Sequence, residues 1–496
     1  MASSRERVVR VSLRGLFPQA KFFGADDLWV QSCTSDADRC RSGDLFVAVD
    51  SGARDGHDSA RQAVDRGACG VLGERYLPHA APQCVVDDSR AAFSRLCDAL
   101  AGYPTDRMTT IGLTGTHGKT TVQWLLASIL EQAGHPAGVW GSLGMFDGRE
   151  VRRRPIDGVT PDLLARWLGE CWRNSARHCV VEASSRSLAT RRLDLLRWDV
   201  GVVTNCGHDH LNHHGTPERY RAAKERIFSQ LKPGGTAVLN FDDAGCRPWL
   251  ESLDVPVLTF GLRDGADVTG QVIESNHGQQ SMLLHLGDES LAVESRMFGE
   301  HHLQNCLAAA AAALVLGIEP SVIVRGLEAV DSIPGRLERI GEVTRTAVYT
   351  DEARSPQSLA LVLSAVRRVT AGRVFVVVGG GYLAPTDRAR LGRVAERFAD
   401  VTVLSSHRLQ RKTSLRVIHD LLDGYARPGR AHVMPDRAKA ICWALSEAGP
   451  QDSVVLVGPQ RKCRADGAQP QMRDIDVVRA WQDAFDQASG ANWAAA

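Results

Sequence analysis

A glycine-rich turn carries the most specific chemistry in the sequence. Ile111-Gly-Leu-Thr-Gly-Thr-His-Gly-Lys-Thr-Thr leads from an apolar, strand-like stretch into a helix-like one at 122–132. Such a turn aims backbone N–H groups and a helix N-terminus at phosphate oxygens. Lys119 would reach the β- and γ-phosphates of a nucleotide, and the Thr120 hydroxyl would hold Mg2+. The full spacing of the common P-loop is missing, so a plain βα turn is the alternative; Gly-Lys-Thr-Thr in this setting favours nucleotide binding. Three more residues have metal or acid–base chemistry. Glu182 ends an apolar run, and His210 lies in a segment with four histidines. Alone, Glu182 reads as a solvated loop acid and His210 as a polar loop or a transition-metal site. Lys224, in Arg221-Ala-Ala-Lys-Glu-Arg, reads by periodicity as a solvated helix lysine.

The elements that must position these groups alternate between strand and helix. Residues 1–107 hold short strand-like runs at 44–49, 70–73 and 84–86, with helical stretches at 59–66 and 89–100. They predict a small α/β domain ending in a Tyr103-Pro-Thr-Asp linker. Residues 108–331 show longer alternation, with strand candidates at 110–113, 179–181, 200–203 and 237–239. The first three end in polar clusters, as expected where ligands meet the carboxyl ends of parallel strands. This predicts a central P-loop-type ATPase domain with a mostly parallel sheet, and the Ala-rich run 307–316 predicts a helix. Ser332-Ile-Pro-Gly-Arg marks a hinge. Strand candidates at 347–349, 374–378, 401–404 and 454–457 then make 332–496 a Rossmann-like domain. The predicted fold class is α/β in three domains.

At 496 residues, two to four domains are expected. Lys plus Arg is 59 and Asp plus Glu is 58, which leaves no electrostatic footprint for a nucleic acid or membrane partner. No stretch approaches the roughly 20 apolar residues of a membrane span, and the charged start lacks the apolar run of a signal peptide. The 12 cysteines show no C-x-x-C pair. Disulfides are unsupported, and a reducing cytoplasm is the simpler expectation. A monomer is expected.

The motifs resemble those of the Mur ligase family, most closely the MurE type. Gly115-Thr-His-Gly-Lys-Thr-Thr is similar to the family's Gly-Thr-Asn-Gly-Lys-Thr-Thr loop, with His117 in place of Asn. Ser42-Gly-Asp-Leu-Phe-Val-Ala with Asp55-Gly-His-Asp resembles its N-terminal, UDP-sugar-binding domain. Glu182-Ala-Ser-Ser, the Thr204-to-Phe228 segment and Pro334-Gly-Arg-Leu-Glu follow in family order. The resemblance implies a ligase that phosphorylates a carboxylate of a UDP-linked muramoyl peptide with ATP. An amino acid's amine then attacks the acyl phosphate, and phosphate leaves. It implies that Gly115, Thr116, His117, Gly118, Lys119, Thr120 and Thr121 hold ATP together with Asn305, Arg336 and Asp351. It further implies Mg2+ on Thr120, Glu182 and His210, and a carbamylated Lys224 acting with Lys119 and His210 in catalysis. Thr160, Ser184 and Arg192 fall where the family holds the UDP-muramoyl peptide.

The sequence also departs from the pattern. Asp36-Ala-Asp stands where Asp-Ser-Arg is usual, His302 replaces a second Asn near Asn305, and Asp351-Glu-Ala-Arg replaces Asp-Tyr-Ala-His. The family's acceptor motifs, Asp-Asn-Pro-Arg and Gly-Lys-Gly-His-Glu, are here Ser405-Ser-His-Arg and Gly458-Pro-Gln-Arg-Lys. Arg408, Arg461 and Lys462 can pair with a carboxylate, but neither segment offers an acid for an ammonium. Diaminopimelate held in the ordinary way is therefore not the expected acceptor. Three readings compete: an active ligase with a changed acceptor, a catalytically impaired MurE-like ATP-binding protein with a binding or regulatory role, and a folate- or cyanophycin-type ligase. The intact Lys119, Thr120, Glu182, His210 and Lys224 favour the first. Residues 36–58 argue against the folate type, which lacks the first domain.

Overall fold

Runs of β-branched residues form parallel strands along most of the chain, and amphipathic helices cover them. The computed structural model describes residues 9–50, 54–78, 81–153, 158–207, 214–340, 346–381, 383–406, 411–458 and 473–493. They divide into two compact units, 1–267 with 308–323, and 268–307 with 324–496. The fold is mixed α/β with mostly parallel sheets, as the alternation predicts.

The first unit holds a two-stranded ribbon, Val11–Ser12 with Trp29–Val30, and two larger sheets. The smaller orders its strands Lys21–Phe23, Gln83–Val85, Gly70–Gly73, Leu45–Val47 and Cys33–Thr34, parallel except for the first. Within this unit the larger runs Val151–Arg152, Met145–Phe146, Ala137–Trp140, His178–Glu182, Thr109–Thr114, Trp198–Val203, Leu231–Asn240 and Val257–Gly261; the first two pair antiparallel and the rest are parallel. Ile111, Leu113 and Val180 are fully buried within it. The helix Lys119–Gln132 packs on this sheet through Val122, Leu125, Leu126 and Ile129, the spacing of one helical face. Burying each such side chain contributes about 1.5–3 kcal/mol. Gly112 is needed here, because a Cβ would stand 2.7 Å from the Trp198 ring.

The second unit begins with an antiparallel meander, Val268–Asn276, Gln279–Leu286 and Glu289–Ser295. No strand was expected there, since the first of these strands is largely exposed and lacks an apolar run. The expected helix is Glu300–Val315, with Ala308 to Ala313 fully buried. A six-stranded sheet follows in the order Glu338–Arg339, Ala347–Asp351, Ser453–Val457, Val374–Val378, Val401–Ser406 and Ala431–Asp436. All but the first strand are parallel. Its side chains alternate between two cores: Val374, Val376 and Val378 face one with Leu359 and Leu391, while Phe375 and Val377 face the other with Ile441 and Leu445. Among the described residues no helix is long and apolar enough to cross a membrane.

Candidate active site

The strand Thr109–Thr114 delivers the glycine-rich turn at its carboxyl end. Gly115 and Gly118 have φ of 153° and 83°, and Gly118 caps the helix that starts at Lys119. A Cβ on Gly115 would overlap the Thr204 hydroxyl, so the turn can close on its neighbouring strand only with glycine. Lys119 folds back over the turn: Nζ donates to the carbonyls of Gly115 at 2.6 Å and Thr116 at 3.1 Å. Asn205, just past the strand Trp198–Val203, braces the turn. Its Oδ1 accepts from the backbone N–H of Thr116 and of His117, both at 2.9 Å. Thr204 Oγ1 donates to the His117 carbonyl at 2.5 Å. Thr121 is buried in the first helical turn.

Register brings the acid to the same edge. Glu182 stands opposite Leu113 and Val203 opposite Thr114, so the strand ends align. Thr120 Oγ1 lies 2.9 Å from Ser142 Oγ, and Ser142 Oγ lies 3.4 Å from Glu182 Oε1. This row of two hydroxyls and a carboxylate is a hard-oxygen set of the kind that suits Mg2+. Ser142 was not singled out from the sequence. Its signal was a glycine-flanked polar residue after the short strand Ala137–Trp140, which was itself not read as a strand. His210 lies outside the described residues. Among the described residues no group of three or more His, Cys, Asp or Glu side chains gathers.

Lys224 is not the solvated lysine that periodicity suggests. It is completely buried on the helix Pro217–Ser229, and its Nζ lies 4.5 Å from the centre of the Tyr220 ring. Tyr220 in turn donates its hydroxyl to Thr116 Oγ1 at 3.2 Å, linking this helix to the glycine-rich turn.

A separate cleft of about 490 Å³ in the same unit includes Thr160 and Arg192 in its lining, with Asp36, Asp38, Arg54 and Arg90. The two acids are partnered, Asp36 with Arg39 at 3.3 Å and Asp38 with Arg66 at 3.2 Å. Arg54 and Arg90 thus add basic groups to a wall where the sequence suggested the loss of one. Sequence reasoning missed both, because nothing in residues 50–90 marks them as neighbours of residue 192. Ser184 caps the helix Ser185–Ala189, accepting from Ser187 N at 3.1 Å.

In the second unit Asn305 is buried on the helix Glu300–Val315. Its neighbour His302 bonds the Ser295 hydroxyl at 2.8 Å; burial, helped by His301, pushes its pKa down to about 3 and keeps the ring neutral. Arg336 and Asp351 come together at the hinge. Arg336 Nη1 donates to the Gly335 carbonyl at 3.0 Å, and the Asp351 carboxylate accepts from Leu337 N at 2.7 Å. Burial pushes the Asp351 pKa up to about 6, opposed by Arg336. Glu352, one of the residues by which Asp351-Glu-Ala-Arg departs from the family pattern, pairs with Arg336 at 3.5 Å and Arg354 at 3.1 Å.

The carboxyl ends of the six-stranded sheet are tied by one buried guanidinium. Arg437 donates to the carbonyls of Val377 at 3.1 Å and Val457 at 3.3 Å, and to Ser405 Oγ at 2.9 Å. It also pairs with Asp474 through Nε at 3.2 Å and Nη2 at 2.6 Å. Arg408, Arg461 and Lys462 lie outside the described residues.

Known proteins share this arrangement along most of the chain. The Mur ligase middle domain matches residues 113–313, and the Mur ligase glutamate ligase domain matches residues 335–460. The UDP-N-acetylmuramoyl-L-alanyl-D-glutamate–2,6-diaminopimelate ligase of Geobacillus kaustophilus is 35% identical over 433 residues, covering 85% of this chain and 88% of that one. Its counterpart in Geobacillus thermodenitrificans is 34% identical, covering 84% and 87%. A solved structure of a ligase with the same name superposes with a TM-score of 0.70 at 25% identity, covering 96% of this chain and 99% of the other. With 35% identity over 85% of its length, and with family models matching both the middle and the C-terminal parts, the chain belongs to the Mur ligase family.

Proposed function

We propose that this chain is an ATP-dependent ligase that joins an amino acid to a carboxylate of a UDP-N-acetylmuramoyl dipeptide, a step of peptidoglycan precursor synthesis. The names of its relatives support the reaction class. The observation that carries the reading is the Thr120–Ser142–Glu182 oxygen row beside Lys119 at the carboxyl ends of adjacent parallel strands.

In this reading the Gly115–Thr121 turn and Lys119 hold the ATP phosphates. Thr120, Glu182 and His210, joined by Ser142, would hold Mg2+, which would offset the negative charge of the phosphates. Asn305, Arg336 and Asp351 belong to the nucleotide side, and Thr160, Ser184 and Arg192 to the donor side. Lys224 carries a carbamate, buried on the helix that Tyr220 links to the glycine-rich turn; the form of a lysine that adds CO2 is the neutral amine. Phosphorylation of the donor carboxylate gives an acyl phosphate. The amine of the amino acid then attacks that carbonyl and displaces phosphate, giving the amide. A monomer in the cytoplasm is part of the same reading.

The acceptor is where this chain parts from the relatives named for diaminopimelate. Ser405 and Ser406 replace the first residues of the usual acceptor motif, and Ser405 is a partner of Arg437. A buried ammonium left without an acid costs several kcal/mol, so diaminopimelate is expected to be a poor acceptor. The test is purified protein with Mg-ATP, UDP-muramoyl dipeptide and a panel of diaminopimelate, lysine and smaller amino acids, read by phosphate release and product mass. An amide product with one phosphate per bond is expected. No product with any amino acid would count against the ligase reading. Diaminopimelate addition at roughly 1–10³ per second, the usual range for enzymes, would show that the acceptor pocket is rebuilt from other residues.

A further inference from the structure

Two thiols meet behind the cleft that holds Thr160 and Arg192. Cys33 lies on the strand Cys33–Thr34 and Cys97 on the helix Ser89–Leu100, 64 residues apart in sequence, with their sulfurs 3.6 Å apart. That is van der Waals contact, and closing it to the roughly 2.05 Å of a disulfide moves the sulfurs by about 1.5 Å. Both line a second cleft, of about 570 Å³, so a small reagent has a path to them. Cys33 is half-buried and Cys97 is buried. Burial, and then the contact with Cys33, hold the Cys97 thiol well above its usual range, which leaves the more exposed Cys33 as the first to meet a reagent.

We propose that Cys33 and Cys97 are a peroxide-oxidisable dithiol whose disulfide fixes a wall of the Arg192 cleft. Cys33 sulfur attacks a peroxide oxygen and breaks the O–O bond, giving a sulfenic acid and water. Cys97 sulfur then attacks Cys33 sulfur and expels a second water. Two thiols and one hydrogen peroxide thus become one disulfide and two waters, and the two electrons lost by sulfur reduce the peroxide. The coupling to the cleft follows from shared elements. The Cys33 strand runs directly into Asp36 and Asp38, and the Cys97 helix carries Arg90 and Phe93, all of which line the Arg192 cleft. The helix Pro161–Arg173 borders both clefts, with Pro161 on one and Asp162 and Arg166 on the other.

The experiment treats the reduced full-length protein with hydrogen peroxide under native conditions, alkylates remaining thiols and maps peptides by mass spectrometry. The expected result is the Cys33 peptide joined to the Cys97 peptide, released by dithiothreitol and absent in Cys33→Ser. In Cys97→Ala, Cys33 should accumulate as a sulfenic acid trapped by dimedone. Overturning results are free Cys33 and Cys97 after peroxide, a link to another cysteine, or Cys33 taken to the sulfinic acid without a link. A second arm measures affinity for UDP-muramoyl dipeptide by calorimetry and rests on the donor reading above. A pre-ordered wall lowers the ordering cost of binding, so the oxidised protein should bind at least about threefold tighter than the reduced one, with no change in Cys33→Ser. Equal or weaker binding overturns the coupling to the cleft. No binding in either redox state speaks against the donor reading and leaves the peptide map to decide the disulfide.

Discussion

Two sheets of this molecule end in polar clusters, and they end differently. In the first unit, the phosphate-loop edge presents hydroxyls, a carboxylate and a lysine ammonium from residues that follow directly on their strands. In the second, the carboxyl ends of Val374–Val378, Val401–Ser406 and Ser453–Val457 are bound to Arg437. That guanidinium is satisfied by two carbonyls, a hydroxyl and the Asp474 carboxylate, so its work is to hold strands together. Equivalent places in two α/β sheets thus divide between chemistry and scaffolding, and the chain has diverged from its family's motifs beside the scaffolded one.

The sharpest way to break this contrast is to remove the clamp. Arg437→Met removes the guanidinium that pairs with the buried Asp474, and breaking a buried pair costs about 3–5 kcal/mol. Thermal and denaturant unfolding should show that loss. A change under about 1 kcal/mol, the range of exposed pairs, would deny Arg437 a structural role.

The next largest effect belongs to the first unit. Lys224→Ala should lower ligation by roughly 10²–10³-fold, the range for loss of one charge-stabilising group, and a small carboxylic acid should restore part of it. Full activity in the alanine variant, or a bare amine in a crystal grown with bicarbonate, would end the carbamate reading. Lys119→Ala comes third. Charge-assisted hydrogen bonds contribute about 1.5–3 kcal/mol each, so calorimetry should show ATP affinity reduced at least about tenfold, with little change in melting temperature. Unchanged affinity would separate the turn from nucleotide binding.

The smallest effect is a slope. Burial raises the Asp351 pKa from 3.8 to about 6, so the folded state binds a proton more tightly than the unfolded chain. Its contribution is therefore fully present below pH 3.8 and is lost as pH rises through about 6. Between these values wild-type stability should fall relative to Asp351→Asn by up to about 1.4 kcal/mol per pH unit. Parallel stability curves for the two proteins would place Asp351 in a more solvated setting.

The same contrast sets what could be read from the sequence. The glycine-rich turn was legible because its donors, its lysine and its hydroxyl are contiguous and its two flanking elements have opposite periodicities. Ser142 and the bracing role of Asn205 were not, because only strand order and register bring them to the turn. Lys224 shows the limit of periodicity: its helix has charged neighbours, yet the lysine itself is buried. Arg437 stood in plain view within Asp436-Arg-Ala-Lys-Ala-Ile, but its partners lie 20 to 60 residues away. The strand Ala431–Asp436 was missed for another reason. It is an edge strand, largely exposed, and its residues carry no apolar alternation.

The proposed ligase reaction turns on moving phosphate from ATP onto a carboxylate of the donor. The direct measurement uses UDP-muramoyl dipeptide labelled with oxygen-18 in both of its free carboxylates, turned over with Mg-ATP and whichever amino acid the panel selects. An acyl phosphate keeps one carboxylate oxygen in the phosphate that the amine displaces. One oxygen-18 in each phosphate released, and one amide per phosphate, are expected of this reaction. Amide formation with unlabelled phosphate, or ATP cleavage that never labels phosphate, would contradict it.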